Sequence, residues 1–211
     1  MNVFFIVAGL AALAYLPMTP QRPNLLRSFT KTLAVAGLAA GAVGGPAWLV
    51  VALGACALGD WLLSRAGDAA FMAGIAAFAA GHLAYIALFL TYPLADTSLL
   101  ALPGRAALAA GLIGLGAVVA VVLFRKAGDL RGPVSVYVPV IIAMGLAALS
   151  LPRDGALLLV LPAALAFVLS DLILALETFV LPQGHTALRF TPYLVWPFYW
   201  AAQAGFYQAF V

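Results

Sequence analysis

The sequence predicts an all-α fold: a polytopic membrane helix bundle of about eight transmembrane helices, forming one integral membrane domain over residues 1–211. Three observations predict it. The 211 residues are 66% hydrophobic and only 8% charged, with a mean hydropathy of +1.13, whereas a soluble domain carries roughly 25% charged residues. So much apolar surface requires lipid as its solvent. Apolar stretches approaching or reaching membrane-crossing length alternate with Pro- and Gly-rich breaks. Basic residues gather in every other connection.

The start, MNVFFIVAGLAALAYL, has no basic n-region and reads as a first helix near 2–16 rather than a secretory signal. Pro17, Pro20 and Pro23 break the chain after it. The second helix is expected near 31–45, and Gly44, Gly45 and Pro46 turn it into a third near 46–64. The fourth (71–91) and fifth (105–124) are separated by Pro93 and Pro103. The sixth (134–151) and seventh (155–180) follow, and Pro182 and Gly184 close the seventh before an eighth over 191–210. "LGDWLL" in the third helix echoes "LSDLIL" in the seventh, which raises the possibility of two four-helix halves in parallel repeat.

The first, third, fifth and seventh connections hold Arg22, Arg27, Lys31, Arg65, Arg125, Lys126, Arg131 and Arg189. The other side holds Arg105 and Arg153. By the positive-inside rule the odd-numbered connections face the cytoplasm and both termini lie outside. The net charge of +3 and the pI near 9.2 reflect these loops. No basic patch is interleaved with aromatics, so no nucleic-acid partner is expected. Eight Arg against two Lys, with abundant Ala and Gly, point to a GC-rich bacterial gene and hence the bacterial inner (plasma) membrane. The lone cysteine, Cys56, excludes an internal disulfide and a cysteine metal cluster, and fits a small packing residue. The sequence does not fix the oligomeric state.

Few ionisable residues fall inside the spans: Asp60, His82, Asp171 and, near a helix end, Glu177. A charge at mid-membrane costs about 2.5–3.5 kcal/mol on insertion scales, so each is a candidate functional residue. At 1.5 Å per residue, Asp60 lies about 6 Å, Asp171 about 13 Å and His82 about 16 Å from the cytoplasmic ends of their helices. The eighth helix adds Tyr199 and, further in, Gln203. His82 and Tyr85, three apart, share a helix face. Ser170 and Glu177 share another, while Asp171 points elsewhere. These placements predict one polar cavity open to the cytoplasm. Ordinary readings stand beside the functional ones. Asp60 can cap a helix or pair with Arg65, His82 can bond between helices, Asp171 can form a structural pair, and Glu177 can be an interfacial charge. Tyr193, Trp196 and Trp200 read as an aromatic belt rather than a site. Asp68, Asp96, Asp129 and Asp154 read as solvated loop residues.

The chain has no H-E-x-x-H, and two histidines are too few for a His-rich zinc site. It has no G-x-S-x-G or Cys/His nucleophile pattern. Neither a metal nor a cofactor is expected. What remains is a pair of carboxylates with a His and Tyr nearby, which suits general acid–base catalysis: one acid holds a proton while the other activates water. The catalytic candidates are Asp60, Asp171 and His82. The substrate-contacting candidates are Tyr85, Ser170, Glu177, Tyr199 and Gln203.

These residues carry a resemblance. "LGDWLLSRAGDAAFMAGIAAFAAGHLAYI", Leu58 to Ile86, resembles the signature region of the YhhN family of membrane lysoplasmalogenases: a G-D pair ending one helix, then Phe-x-x-Gly and a paired His and Tyr in the next. "FVLSDLILALETF", Phe167 to Phe179, resembles its second S-D motif, and "YWAAQAGF", Tyr199 to Phe206, its closing aromatic-x-x-Gln segment. The eight-helix layout agrees. The resemblance implies hydrolysis of the vinyl ether bond of a lysoplasmalogen to a fatty aldehyde and a glycerophospho-base, or action on another ether or lysolipid. Asp171, as the more buried acid, is the expected proton donor, with Asp60 stabilising the cation or activating water. His82, Tyr85 and Gln203 would orient them. The partners implied are a lysophospholipid substrate and the bilayer. Its phosphate would meet Arg27, Lys31, Arg65 or Lys126 at the rim, and its amine Glu177. The competing readings are a proton-coupled transporter of a small molecule or lipid, favoured by buried Asp and His and by Pro162 in the seventh helix, and a structural membrane protein with the acids as interhelical glue.

Overall fold

The computed structural model describes residues 2–211. Among the described residues there are eight α-helices and no strand: α1 (Val3–Tyr15), α2 (Leu25–Gly41), α3 (Ala47–Leu63), α4 (Asp68–Thr91), α5 (Pro103–Lys126), α6 (Arg131–Ala148), α7 (Val160–Ala175) and α8 (Thr191–Phe210). α8 falls where the sequence placed it. α2 does not. It begins at Leu25 rather than near 31, because Asn24 caps it, its side chain accepting from the Arg27 backbone N–H at 2.9 Å. Arg27 and Lys31 therefore belong to a helix and not to a loop. Asp68 likewise opens α4, where an acidic residue suits the first turn. The stretch expected as one helix over 155–180 changes character along its length: a 3-10 turn at Gly155–Leu159, then α7, then a π-helical turn at Leu176–Val180 in which the Leu181 N–H reaches back to the Leu176 carbonyl at 2.9 Å.

Four helical stretches are long and apolar enough to cross a membrane: Asp68–Thr91, Pro103–Lys126, Gly128–Ala148 and Gly155–Val180. Val3–Met18 and Ala47–Leu63 are shorter apolar helices. The exterior is apolar, with Leu13, Val118 and Val136 each more than 60% exposed. Asp60, His82 and Gln203 are fully buried. An apolar outside around a polar inside is how a membrane protein is solvated, since lipid offers no hydrogen bonds.

Neighbours along the chain pack as α1–α2, α2–α3 and α3–α4, and again as α5–α6, α6–α7 and α7–α8. The two quartets meet through α4–α6 and α8–α2, a pattern that repeats at an interval of four helices, and α8 also touches α3. α5 lies outermost, burying only Leu112, Gly116 and Leu123. Small residues let α3 and α4 approach closely, as is usual between membrane helices. A Cβ on Gly81 would stand 2.6 Å from the Cys56 sulfur, and one on Gly59 2.6 Å from the Phe78 ring. Cys56 is thus a buried free thiol filling a helix seam. Trp196 and Trp200, read from sequence as a membrane-interface belt, instead join α8 to the first two helices. Their indole N–H groups donate to the carbonyls of Ala12 (3.0 Å) and Ala34 (3.1 Å). A buried indole must place its N–H, and these carbonyls are within reach. Tyr193 alone of the three is largely exposed.

Gly59→Ala forces the Phe78 ring to move, and overpacking of this kind costs about 1–3 kcal/mol. Gly54, on the same helix, has nothing within 4 Å of a new Cβ. Gly54→Ala should leave stability unchanged or raise it by up to about 1 kcal/mol. Thermal unfolding of both variants in detergent checks the contrast.

Candidate functional site

A cavity of about 250 Å³ opens at one end of the bundle. Its lining comes from the C-terminal ends of the odd-numbered helices (Tyr15, Leu63, Leu123, Phe179) and the N-terminal ends of the even-numbered ones (Lys31, Phe71, Val134, Pro192). That is the end whose connections carry most of the basic residues. The wall is mostly apolar, and the ionisable side chains on it are Arg27, Lys31, Asp60, Asp171 and Glu177, with Tyr15, Tyr137 and Tyr199 among them.

Asp60 sits on the last full turn of α3. Its side chain is fully buried, and Lys31 Nζ from α2 lies 2.9 Å from Oδ1. The Tyr199 hydroxyl from α8 donates to Oδ2 at 2.7 Å. Neither a helix cap nor Arg65 accounts for this carboxylate. Arg65 instead lies over the Trp61 ring at 4.2 Å. A buried charge is tolerated only when it is paired and hydrogen-bonded, and Lys31 and Tyr199 supply both conditions.

Asp171, on α7, has different company. The Tyr137 hydroxyl from α6 donates to Oδ2 at 2.5 Å, and His82 Nε2 lies 3.9 Å from the same oxygen. His82 Nδ1 is 2.7 Å from the Phe78 carbonyl. A carbonyl only accepts, so Nδ1 carries a hydrogen and Nε2 is turned toward Asp171. Nε2 has no hydrogen-bond partner among the described residues. The Asp171 side chain is 15% exposed. The expectation that Asp171 is the more buried acid is therefore reversed: Lys31 and Tyr199 close over Asp60, whereas Tyr137 and His82 leave part of Asp171 exposed.

An aromatic wall joins the two acids. Tyr199 meets Phe78 (5.7 Å) and Phe167 (5.3 Å) edge to face, Phe167 meets His82 (4.5 Å), and His82 meets Tyr137 (5.5 Å). Such pairs fix ring orientation, and so they fix the groups that hold the carboxylates.

Of the candidates read from sequence, Asp60, Asp171, Ser170, Glu177 and Tyr199 line the cavity. Ser170 and Asp171 both reach it although adjacent helix residues diverge, and the Ser170 hydroxyl donates to the Val195 carbonyl at 3.1 Å. His82, Tyr85 and Gln203 do not line it. They are fully buried behind it, where the Tyr85 hydroxyl donates to Gln203 Oε1. Arg65 and Lys126, candidate headgroup residues, are also absent from the lining. Two roles escaped the sequence reading. Lys31 is read there as a rim cation for a phosphate and not as the partner of Asp60, although the Pro23-Asn24-Leu25 cap signal places it in a helix beside α3. Tyr137 lay in a helix that offered only hydrophobicity, although a single Tyr within VSVYVPVII was visible. Among the described residues, no three His, Cys, Asp or Glu side chains group closely enough to hold a metal ion.

The chain belongs to the YhhN family, whose model matches residues 2–210, nearly the whole sequence. No match was found among curated proteins or among solved structures.

Lys31→Met leaves a buried carboxylate without its cation and should lower stability by about 3–5 kcal/mol. Adding Asp60→Asn removes the stranded charge and should recover most of the loss. A double-mutant cycle of denaturant unfolding in detergent reads this coupling. Purely additive losses would show that the two side chains act independently.

Proposed function

We propose that this chain is an intramembrane ether hydrolase of the lysoplasmalogenase type, a single eight-span domain in a bacterial inner membrane with its cavity open to the cytoplasm. The observation that carries the reading is that two carboxyl groups in unlike surroundings face one largely apolar cavity. Asp60 faces an ammonium group. Asp171 is held by a phenol, with an imidazole 3.9 Å away. A pair of acids with divided environments is what acid-catalysed cleavage through an oxocarbenium ion uses.

The substrate is a lysophospholipid with an enol ether at its first carbon. The cavity is smaller than the 300–1,000 Å³ typical of sites that enclose a drug-sized ligand. It takes the reacting end and leaves the rest of the chain in the bilayer. Leu115, Val119, Ile141 and Ile142 form the apolar wall beside which the chain would enter.

With Tyr137 and His82 both at Oδ2, Asp171 Oδ1 is the atom left for the substrate. Asp171 delivers its proton to the β-carbon of the enol ether. The π electrons form the new C–H bond, and an oxygen lone pair leaves the adjacent carbon as an oxocarbenium ion. The Asp60 carboxylate, paired with Lys31, stabilises that cation. Water adds to the cationic carbon, and the proton it sheds returns to Asp171. The hemiacetal passes its hydroxyl proton to the ether oxygen as that C–O bond breaks. The products are a fatty aldehyde and the glycerophospho-base. His82 and Tyr137 orient Asp171, Tyr199 orients Asp60, and the Tyr85–Gln203 pair supports α4 against α8 behind them. Ser170 and Glu177 stand on the wall where substrate polar groups pass.

Purified protein should release aldehyde from lysoplasmenyl-ethanolamine, read by mass spectrometry. Asp171→Asn and Asp60→Asn, checked for matched thermal stability, should each lower kcat by about 10² or more, the scale of lost acid–base catalysis. Turnover by Asp171→Asn at the wild-type rate sinks the assignment, and a well-folded wild type that makes no aldehyde sinks the substrate.

A further inference from the structure

We propose that Arg27 and Lys31 form an anion subsite at the cavity mouth that receives the phosphate of the lysolipid. The inference rests on the hydrolase reading for the identity of the lipid, but not for the existence of the subsite.

The two cations lie four residues apart on α2, one above the other, and both line the cavity rather than pointing out to solution. Their placement runs against local electrostatics. Arg27 is in the first turn of α2, where the helix dipole is positive and favours anions. Arg27 is also fixed in place. Its Nε donates to the Met18 carbonyl at 3.0 Å, one Nη to the Thr19 carbonyl at 3.1 Å, and its guanidinium lies 5.3 Å from the Tyr15 ring centroid. A guanidinium has five N–H donors, so those two bonds leave three free, and an ammonium has three, of which Asp60 takes one. Among the described residues Lys31 pairs with Asp60, and no carboxylate lies within ion-pair distance of Arg27. The α2 wall of this mostly apolar cavity therefore carries one positive charge in excess, with donors still unused. An anion with several acceptor oxygens satisfies it, and Arg recognises phosphate in that manner. Asp60 lies next to the subsite, so a phosphate held there places the glycerol ether end of the same molecule within the cavity that the two acids share.

Phosphate can arrive on a lipid or free in solution, and binding separates the sources without any turnover. The probes are a saturated 1-O-alkyl lysophospholipid, which has no vinyl ether to cleave, the matching 1-O-alkylglycerol, and inorganic phosphate. Affinities are measured in detergent by calorimetry on wild type, Arg27→Gln and Arg27→Lys. Wild type should bind the phosphate-bearing lipid about tenfold or more tighter than the alkylglycerol, the scale of one charge-assisted hydrogen bond. Arg27→Gln should erase that difference while leaving alkylglycerol binding unchanged, and Arg27→Lys should restore part of it. Inorganic phosphate alone should bind weakly and compete only with the phospholipid. Equal affinity for the two lipids in wild type overturns the subsite, as does discrimination that survives in Arg27→Gln. Tight binding of inorganic phosphate alone reassigns it to a soluble anion. Phosphate-dependent binding without aldehyde release from the vinyl ether keeps the subsite and removes the hydrolase reading.

Discussion

The ion pair between Lys31 and Asp60 is the constraint on which the rest of the site depends. The Asp60 side chain is fully buried and 2.9 Å from Lys31 Nζ. In a bundle with an apolar exterior a lone carboxylate there is costly, so α2 must lie beside α3 at the right height to deliver the cation. Asn24 sets that height by starting α2 at Leu25, two residues after Pro23, and its carbonyl accepts from the Ser28 hydroxyl at 2.8 Å. Tyr199 then closes the remaining oxygen from α8. Two neighbouring helices, α2 and α3, and the sequence-distant α8 are thereby pinned to one carboxylate. The surrounding apolar contacts can shift slightly without losing their attraction, whereas a 2.9 Å ionic contact cannot.

The legibility of the sequence divides along the same line. Asp60 and Asp171 announced themselves, because an acid inside an apolar run has few uninteresting explanations. The end of the bundle that holds the cavity was legible too, since counting residues from helix ends is a one-dimensional operation. Partnerships were not. Nothing local to Asp60 names Lys31, which lies 29 positions away on a helix that the Pro-rich run before it obscured. Tyr137 is a lone aromatic in a stretch whose hydropathy says only membrane. Counting along a helix gives a distance on one axis, but burial depends on what lies across it. That is why Asp171, deeper along its helix, proves less buried than Asp60. Trp196 and Trp200 fail in a related way: near a helix end an indole fits an interface belt, and only the approach of α1 and α2 turns it inward.

His82, Tyr85 and Gln203 show a further limit. All three share the signature segments, yet none touches the cavity. His82 reaches Asp171 from behind, and the other two bond to each other across α4 and α8. Sequence motifs mark what must be placed together, and they do not distinguish a group that meets the ligand from one that holds another group in place. The difference matters for the proposed chemistry, because removing a holder alters geometry and removing the acid removes the proton.

The two quartets of helices bear on how one cavity acquires two unlike acids. Asp60 lies on the third helix of the first quartet and Asp171 on the third of the second. Each takes its nearest polar partner from the second helix of its own quartet, Lys31 on α2 and Tyr137 on α6. The contacts between helices repeat at the same interval. The geometry around the two carboxylates is therefore alike and the chemistry is not: an ammonium answers one and a phenol the other. The second partners differ as well, a phenol from α8 at Asp60 and an imidazole from α4 near Asp171, so two similarly placed acids stand in unlike company, which is the inequality the proposed reaction uses.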